Sequence, residues 1–296
     1  MHEGAQGETP VITQEMVNLF DEYTHVHLNR RRFMDSLAKL TGSMTAAVAV
    51  AAMIAPSAKA QGLSSETDER LEIADITYPG ARGDMKGYLA VPKEGGPFPA
   101  VIVVHENRGL NAHIKDVTRR MALEGFVALA PDYLSDLGGT PADEEAARGL
   151  FQQLQPPDVT ANGVATIAFL KGHEKSNGKV GAIGFCWGGG TVNGLAVASP
   201  DLLAAAPYYG RQPNAEAVPQ IKGRVMAHYG GLDERINAGI PDFEAALKAA
   251  GTDYQIFVYD GANHAFNNDT SAQRYDEAAA KLAWDRTIPF FKETLA

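Results

Sequence analysis

The chain has 296 residues, 45% of them hydrophobic and 21% charged, with a formal net charge of −10, a composition that suits a soluble folded protein with one large core. The acidic balance, with no Lys/Arg block beyond the first sixty residues, excludes a phosphate-tracking face, so nucleic acid is not an expected partner. A single cysteine, Cys186, excludes an internal disulfide and a cysteine-rich metal cluster, which leaves its thiol as packing or as chemistry.

Residues 1–60 read as a leader. Arg30, Arg31 and Arg32 precede Phe33 and Met34, an alanine-rich apolar stretch follows, and Ala58-Lys59-Ala60 forms a small-x-small site. That order is similar to a twin-arginine export signal cleaved after Ala60, which would deliver a folded cargo to the bacterial periplasm. Lys39 and the many alanines make the apolar run too weak for a permanent membrane anchor. The segment before the arginines supports a second reading: Val11, Met16, Leu19, Phe20 and Tyr23 have partly helical spacing. On that reading the extension is kept, packs on the body, and the protein stays in the cytoplasm; both readings stay open.

From residue 61 to the C-terminus the pattern predicts one α/β domain, with a mostly parallel central sheet and helices on both faces. "LEIADITY" and "MKGYLAV" read as two leading strands joined by the turn-forming "PGARGD". "AVIVVHE" is continuously apolar and so reads as a strand buried on both faces; "FVALAPD" and "KVGAIGF" read alike. Helices are expected at 114–124, 142–154 and 159–172, the last two separated by Pro156-Pro157. Beyond the cysteine, "LAAAPYYG", "RVMAHYG" and "YQIFVYD" complete the strands, and helices at 241–250 and 272–291 cover them.

Gly184-Phe185-Cys186-Trp187-Gly188 has the form G-x-nucleophile-x-G at a strand-to-helix junction. Small residues two before and two after the central position let strand and helix approach, and the sharp turn exposes the nucleophile. The Trp187 N–H would then supply half of an oxyanion hole at the helix N-terminus. A buried structural cysteine at a strand end is the competing reading of this segment alone. A thiol nucleophile also needs a base and a group to orient that base, in the chain order nucleophile, acid, histidine. Asp233 in "GGLDERI" and His264 in "GANHAF" occupy that order, each just past a predicted strand, where open α/β sheets place their sites.

The motifs "VIVVHENRGLNAHIKDV", "GFVALAPDYL", "GFCWGGG", "YYG", "GGLDERI" and "GANHAF" together resemble the dienelactone hydrolase (carboxymethylenebutenolidase) family of α/β-hydrolases, over nearly the whole body. The resemblance implies an α/β-hydrolase fold and a carboxylic ester or lactone hydrolase without metal or cofactor, acting on a small-molecule substrate. It implies Cys186 as nucleophile, His264 as base and acid, and Asp233 as its orienting carboxylate. It also implies a role for Glu106 beside the resting thiol and the Asn107 N–H as second oxyanion donor. The arginines that hold a substrate carboxylate in that family have no counterpart in "PDYLSDLGG" or "HAFNNDT". Arg108 and Arg211 are the substitutes considered, with Tyr133 and Tyr208 as further pocket residues and His105 and Trp187 as possible walls. Two other functional classes are weighed against hydrolysis: a redox-active or sensor thiol, which would lack a second cysteine to resolve it, and a ligand-binding protein on a hydrolase scaffold.

Overall fold

Asn29 and Ser43 open two of three N-terminal helices in the computed structural model, which describes residues 11–25, 28–55 and 62–296. The helices are α1 (Gln14–His25), α2 (Arg30–Thr41) and α3 (Met44–Ile54). Asn29 Oδ1 accepts the Arg32 N–H at 2.9 Å and Ser43 Oγ accepts the Ala46 N–H at 3.1 Å, each satisfying a donor the helix cannot. Phe20, Tyr23, Phe33, Leu37, Val50 and Ile54 close a small core, in which Tyr23 stacks on Phe33 at 4.4 Å between ring centroids. Asn268–Tyr275 belongs to the same compact unit. There the Ser271 hydroxyl donates to Ile54 O at 3.1 Å, and Arg274 pairs with Asp21 at 3.1 Å. No single helix among the described residues is long and apolar enough to cross a membrane, and α2 and α3 meet at a bend of 108°. The expected cleavage site at Ala58-Lys59-Ala60 lies outside the described residues.

The second unit takes the described residues from 62 to Asn267 and Asp276–Ala296. Its strands are β1 (Leu71–Pro79), β2 (Asp84–Pro92), β3 (Phe98–Val104), β4 (Val127–Pro131), β5 (Ser176–Phe185), β6 (Leu202–Tyr208), β7 (Arg224–Gly230) and β8 (Tyr254–Tyr259). They form one sheet in the order β1-β2-β4-β3-β5-β6-β7-β8. β1 and β2 make an antiparallel hairpin and β2 pairs antiparallel with β4; every other pairing is parallel. The unbroken apolar runs explain the centre: Ala100–Val104 and Val127–Ala130 are wholly buried, as strands covered on both faces must be.

Helices α4 (Ala112–Leu123), α5 (Glu144–Phe151), α6 (Pro156–Lys171), α7 (Trp187–Ala198), α8 (Glu234–Asn237), α9 (Ile240–Ala250) and α10 (Glu277–Leu295) complete this unit. α6 and α7 pack so closely that a Cβ on Gly163 would lie 2.4 Å from Leu195 Cδ2. Arg120 of α4 sits over the Trp284 ring of α10 at 4.3 Å. Several helix boundaries differ from expectation, two of them for a visible reason. Pro156 and Pro157 open α6 rather than merely preceding it, because the first turn of a helix needs no N–H from them. α10 starts at Glu277, with Asp276 Oδ1 accepting the Ala279 N–H at 2.9 Å, since residues 268–275 are taken into the N-terminal unit.

Candidate active site

Parallel register brings the candidate residues to one edge of the sheet. Val104 of β3 lies opposite Gly184 of β5, Phe185 opposite Tyr208 of β6, and Gly230 of β7 opposite Tyr259 of β8. Glu106, Cys186, Asp233 and His264 each follow within a few residues of those positions, on the loops beyond the carboxyl ends of the strands.

Cys186 stands between β5 and α7 at φ 58°, ψ −115°, a backbone conformation that side-chain-bearing residues rarely adopt. The turn is held by Cys186 N–H donating to Tyr208 O at 3.0 Å and by Gly190 N–H donating to Cys186 O at 3.1 Å. Glycine is required on either side. A Cβ on Gly184 would lie 2.3 Å from Gly188 O, and one on Gly188 would lie 2.4 Å from Val104 O and 2.5 Å from His105 O. These are backbone atoms that cannot step aside, so the start of α7 lies directly against the end of β3. Consequently Trp187 N–H opens the helix beside the loop that carries Glu106 and Asn107.

Asp233 caps α8 and uses both oxygens: Oδ1 accepts the Ile236 N–H at 3.3 Å, and Oδ2 meets His264 Nδ1 at 2.5 Å. A ring nitrogen of His264 lies within 4.8 Å of Cys186 Sγ. Burial disfavours charge on His264, but the Asp233 carboxylate, the hydrogen bond to it and the neighbouring Cys186 outweigh it and lift its pKa to about 10. Burial likewise pushes Asp233 up, yet the His264 charge and hydrogen bond prevail and hold it below the usual carboxylate range. The Asp233 carboxylate thus favours a protonated His264 ring, and that ring lies beside the Cys186 sulfur.

Glu106 is buried directly after β3. In front of Cys186 opens a cavity of about 370 Å³, walled by Phe151, Leu154, Val159 and Trp187 and edged by Arg211. Arg211 is exposed, and among the described residues its guanidinium forms no ion pair. Arg108 does not join it: that side chain is buried against Glu144 at 3.1 Å and Glu145 at 3.7 Å. Tyr133 is also buried, with its ring edge-on to His105 and Trp187, one layer behind the cavity wall. Tyr208 reaches the site only through its carbonyl, because its hydroxyl bonds Thr287 in the core at 2.7 Å. The next residue, Tyr209, turns at φ 37° and sets its ring 5.0 Å from that of His264. Sequence reasoning missed Tyr209; the signal available was "YYG", where strand alternation leaves only one of two tyrosines facing the core.

With this geometry in view, the family model and the curated relatives point to one family. A model of the dienelactone hydrolase family matches residues 85–295. The chain belongs to the dienelactone hydrolase family. A protein of Methylorubrum extorquens called "Putative carboxymethylenebutenolidase" is 31% identical over 89% of this chain and 92% of its own. That span is longer than residues 61–296 alone. A Synechocystis protein of the same description is 35% identical over 74% of this chain and 96% of its own. Among solved structures, a Klebsiella pneumoniae protein described as "Putative Dienelactone Hydrolase" superposes with a TM-score of 0.70 at 30% identity, covering 75% of this chain and 99% of that one. The fold is thus the α/β-hydrolase fold, and the family is one of hydrolases of small ester and lactone substrates.

Proposed function

We propose that this dienelactone hydrolase family member cleaves a small carboxylic ester or lactone through a covalent thioester on Cys186. The observation that carries this reading is the ring of His264, bonded to Asp233 through Nδ1 and with a ring nitrogen within 4.8 Å of the Cys186 sulfur, which a strained turn presents. When substrate enters, Glu106 takes the proton of the Cys186 thiol, the resulting thiolate attacks the substrate carbonyl carbon, and the carbonyl electron pair moves onto oxygen. Trp187 N–H and Asn107 N–H stabilise that oxyanion. When it collapses, the C–O bond of the ester breaks and His264 gives its proton to the departing alkoxide, which in a lactone remains attached to the acyl chain. Neutral His264 then takes a proton from water, whose oxygen attacks the thioester and releases the carboxylic acid and the thiolate. Glu106, buried at the neighbouring strand end, supports thiolate formation when substrate enters. The cavity favours a substrate with an apolar body, and Arg211 at its rim favours an anionic group at the open end.

The test is turnover of a panel of short-chain aryl esters and lactones by the wild-type protein and Cys186→Ala. Loss of turnover to the residual level left by binding and the oxyanion hole is expected; near-full turnover by the variant overturns the reading. Consumption of peroxide without ester turnover would instead favour a sensor thiol.

For residues 1–60 we propose retention rather than cleavage. The N-terminal helices close a core of their own and are tied by a largely buried Asp21–Arg274 ion pair and the Ser271–Ile54 hydrogen bond to Asn268–Tyr275, a segment no leader peptidase would remove. Mass spectrometry of the N-terminus in cells tests this: a chain that begins within residues 1–10 is expected, and one that begins at Gln61 would establish an exported, processed protein.

A further inference from the structure

His105, immediately before Glu106, is wholly buried and is bonded at both ring nitrogens. Tyr133 N–H points at Nε2 at 3.2 Å, and a backbone amide can only donate, so Nε2 must be the acceptor. The ring proton is therefore on Nδ1, where it donates to Glu106 O at 2.8 Å. Burial lowers the pKa of this imidazole, and a second proton on Nε2 would face the Tyr133 N–H, so the ring is neutral with one tautomer.

The carbonyl that accepts this proton belongs to the peptide whose other end is Asn107 N–H. In a planar trans peptide C=O and N–H point in opposite directions, so fixing one fixes the other. A hydrogen bond to the carbonyl oxygen also polarises the peptide and strengthens its N–H as a donor. The same ring stacks on Trp187, with centroids 5.5 Å apart and planes 11° apart, and Trp187 carries the other oxyanion donor.

We propose that His105 is a positioning residue for hydrolysis: its Nδ1–H locks and polarises the Glu106–Asn107 peptide, and its face aligns Trp187, so that both oxyanion donors are set by one neutral imidazole. This rests on the thioester reading above. His105 does not touch the reacting atoms, and its effect appears only when negative charge develops on the carbonyl oxygen.

Two substitutions separate its two bonds. The amide nitrogen of His105→Asn falls near the place of Nδ1 and keeps the donor to Glu106 O. The amide oxygen of His105→Gln falls near Nε2 and keeps the acceptor for Tyr133 N–H but loses that donor. Removing one oxyanion donor outright costs ~10²–10³ in kcat, so misaligning one is expected to cost about 10–100-fold. His105→Gln should therefore lose about 10–100-fold in kcat on an activated aryl ester with little change in KM, and His105→Asn should lose much less. Alkylation of Cys186 by iodoacetamide needs the thiolate but no oxyanion hole, and should stay near the wild-type rate in both variants. Equal kcat losses in the two variants, or alkylation falling in step with kcat, would overturn the proposal. If Cys186→Ala keeps its turnover, the thioester reading itself fails, a result distinct from either. Should a variant not fold, 15N NMR of the wild-type histidines decides: a neutral Nδ1–H tautomer at His105 from pH 5 to 9 is expected, and an Nε2–H tautomer or a titrating ring would overturn it.

Discussion

Within the single helix α7, the first turn and the turns behind it obey different constraints. A Cβ on Gly188 or Gly189 would run into backbone carbonyl oxygens, Val104 O at 2.4 Å and Tyr208 O at 2.5 Å, whereas on Gly190 it would find its nearest neighbour at 3.6 Å and on Gly194 nothing within 4 Å. The elbow is thus fixed by main chain that no side-chain change can relax. The cavity wall beside Gly190 and Gly194 is instead made of side chains such as Leu154 and Val159. On the proposed reading, chemistry would be held by the main-chain elbow and specificity by the side-chain wall.

The largest effect should follow from loss of the charge that orients the base. Asp233→Asn is expected to lower kcat/KM by ~10³–10⁴, as removal of a triad carboxylate does by leaving the wrong tautomer. Stability should report the same pair. The folded pKa of His264, about 10, lies above its ordinary value, so its contribution is complete below pH ~6.5 and lost as pH rises through about 10. Urea unfolding should therefore show the wild-type advantage over Asp233→Asn to be greatest near pH 6 and to shrink toward pH 10; an advantage that grows with pH would contradict the assignment.

A smaller effect comes from the glycines. Gly188→Ala must displace backbone at the end of β3 and should destabilise by ~1–3 kcal/mol while also slowing iodoacetamide capture of Cys186. Gly194→Ala, in open space inside a helix, should stabilise by ~0.5–1 kcal/mol in the same denaturation measurement. Similar behaviour of the two would erase the distinction between elbow and wall. The smallest effect belongs to the rim: Arg211→Ala should raise KM for an ester bearing a free carboxylate by ~2–5-fold, the range of an exposed charge pair. An equal rise for a neutral ester would assign Arg211 to packing.

Much of this arrangement can be read along the chain, because buried parallel strands leave unbroken apolar runs and the site residues follow directly after them. Cys186 between Gly184 and Gly188, and Asp233 and His264 just past β7 and β8, are visible for that reason. What cannot be read is pairing across long separations. Arg108 is taken by Glu144 and Glu145 on α5, more than thirty residues on, so its charge does not reach the cavity. Tyr208 and Tyr209 are adjacent and alike in sequence, and only the turn at φ 37° decides which ring meets His264. Residues 272–275 have a helical pattern, yet this stretch joins the N-terminal unit through Ser271 and Arg274, whose partners lie more than two hundred residues earlier. His105 was legible only as a possible wall residue; its part in setting the Glu106–Asn107 peptide depends on two hydrogen bonds that leave no trace in the sequence.

The central claim is that acyl groups pass through the sulfur of Cys186, and it can be read directly by acid-quenching the protein during turnover of p-nitrophenyl acetate and locating the acetyl group by peptide mass spectrometry. The account predicts acetylation of the peptide that contains Cys186, formed and lost at rates that match turnover. Steady hydrolysis with Cys186 unmodified, or an acetyl group carried on another residue at the turnover rate, would contradict it.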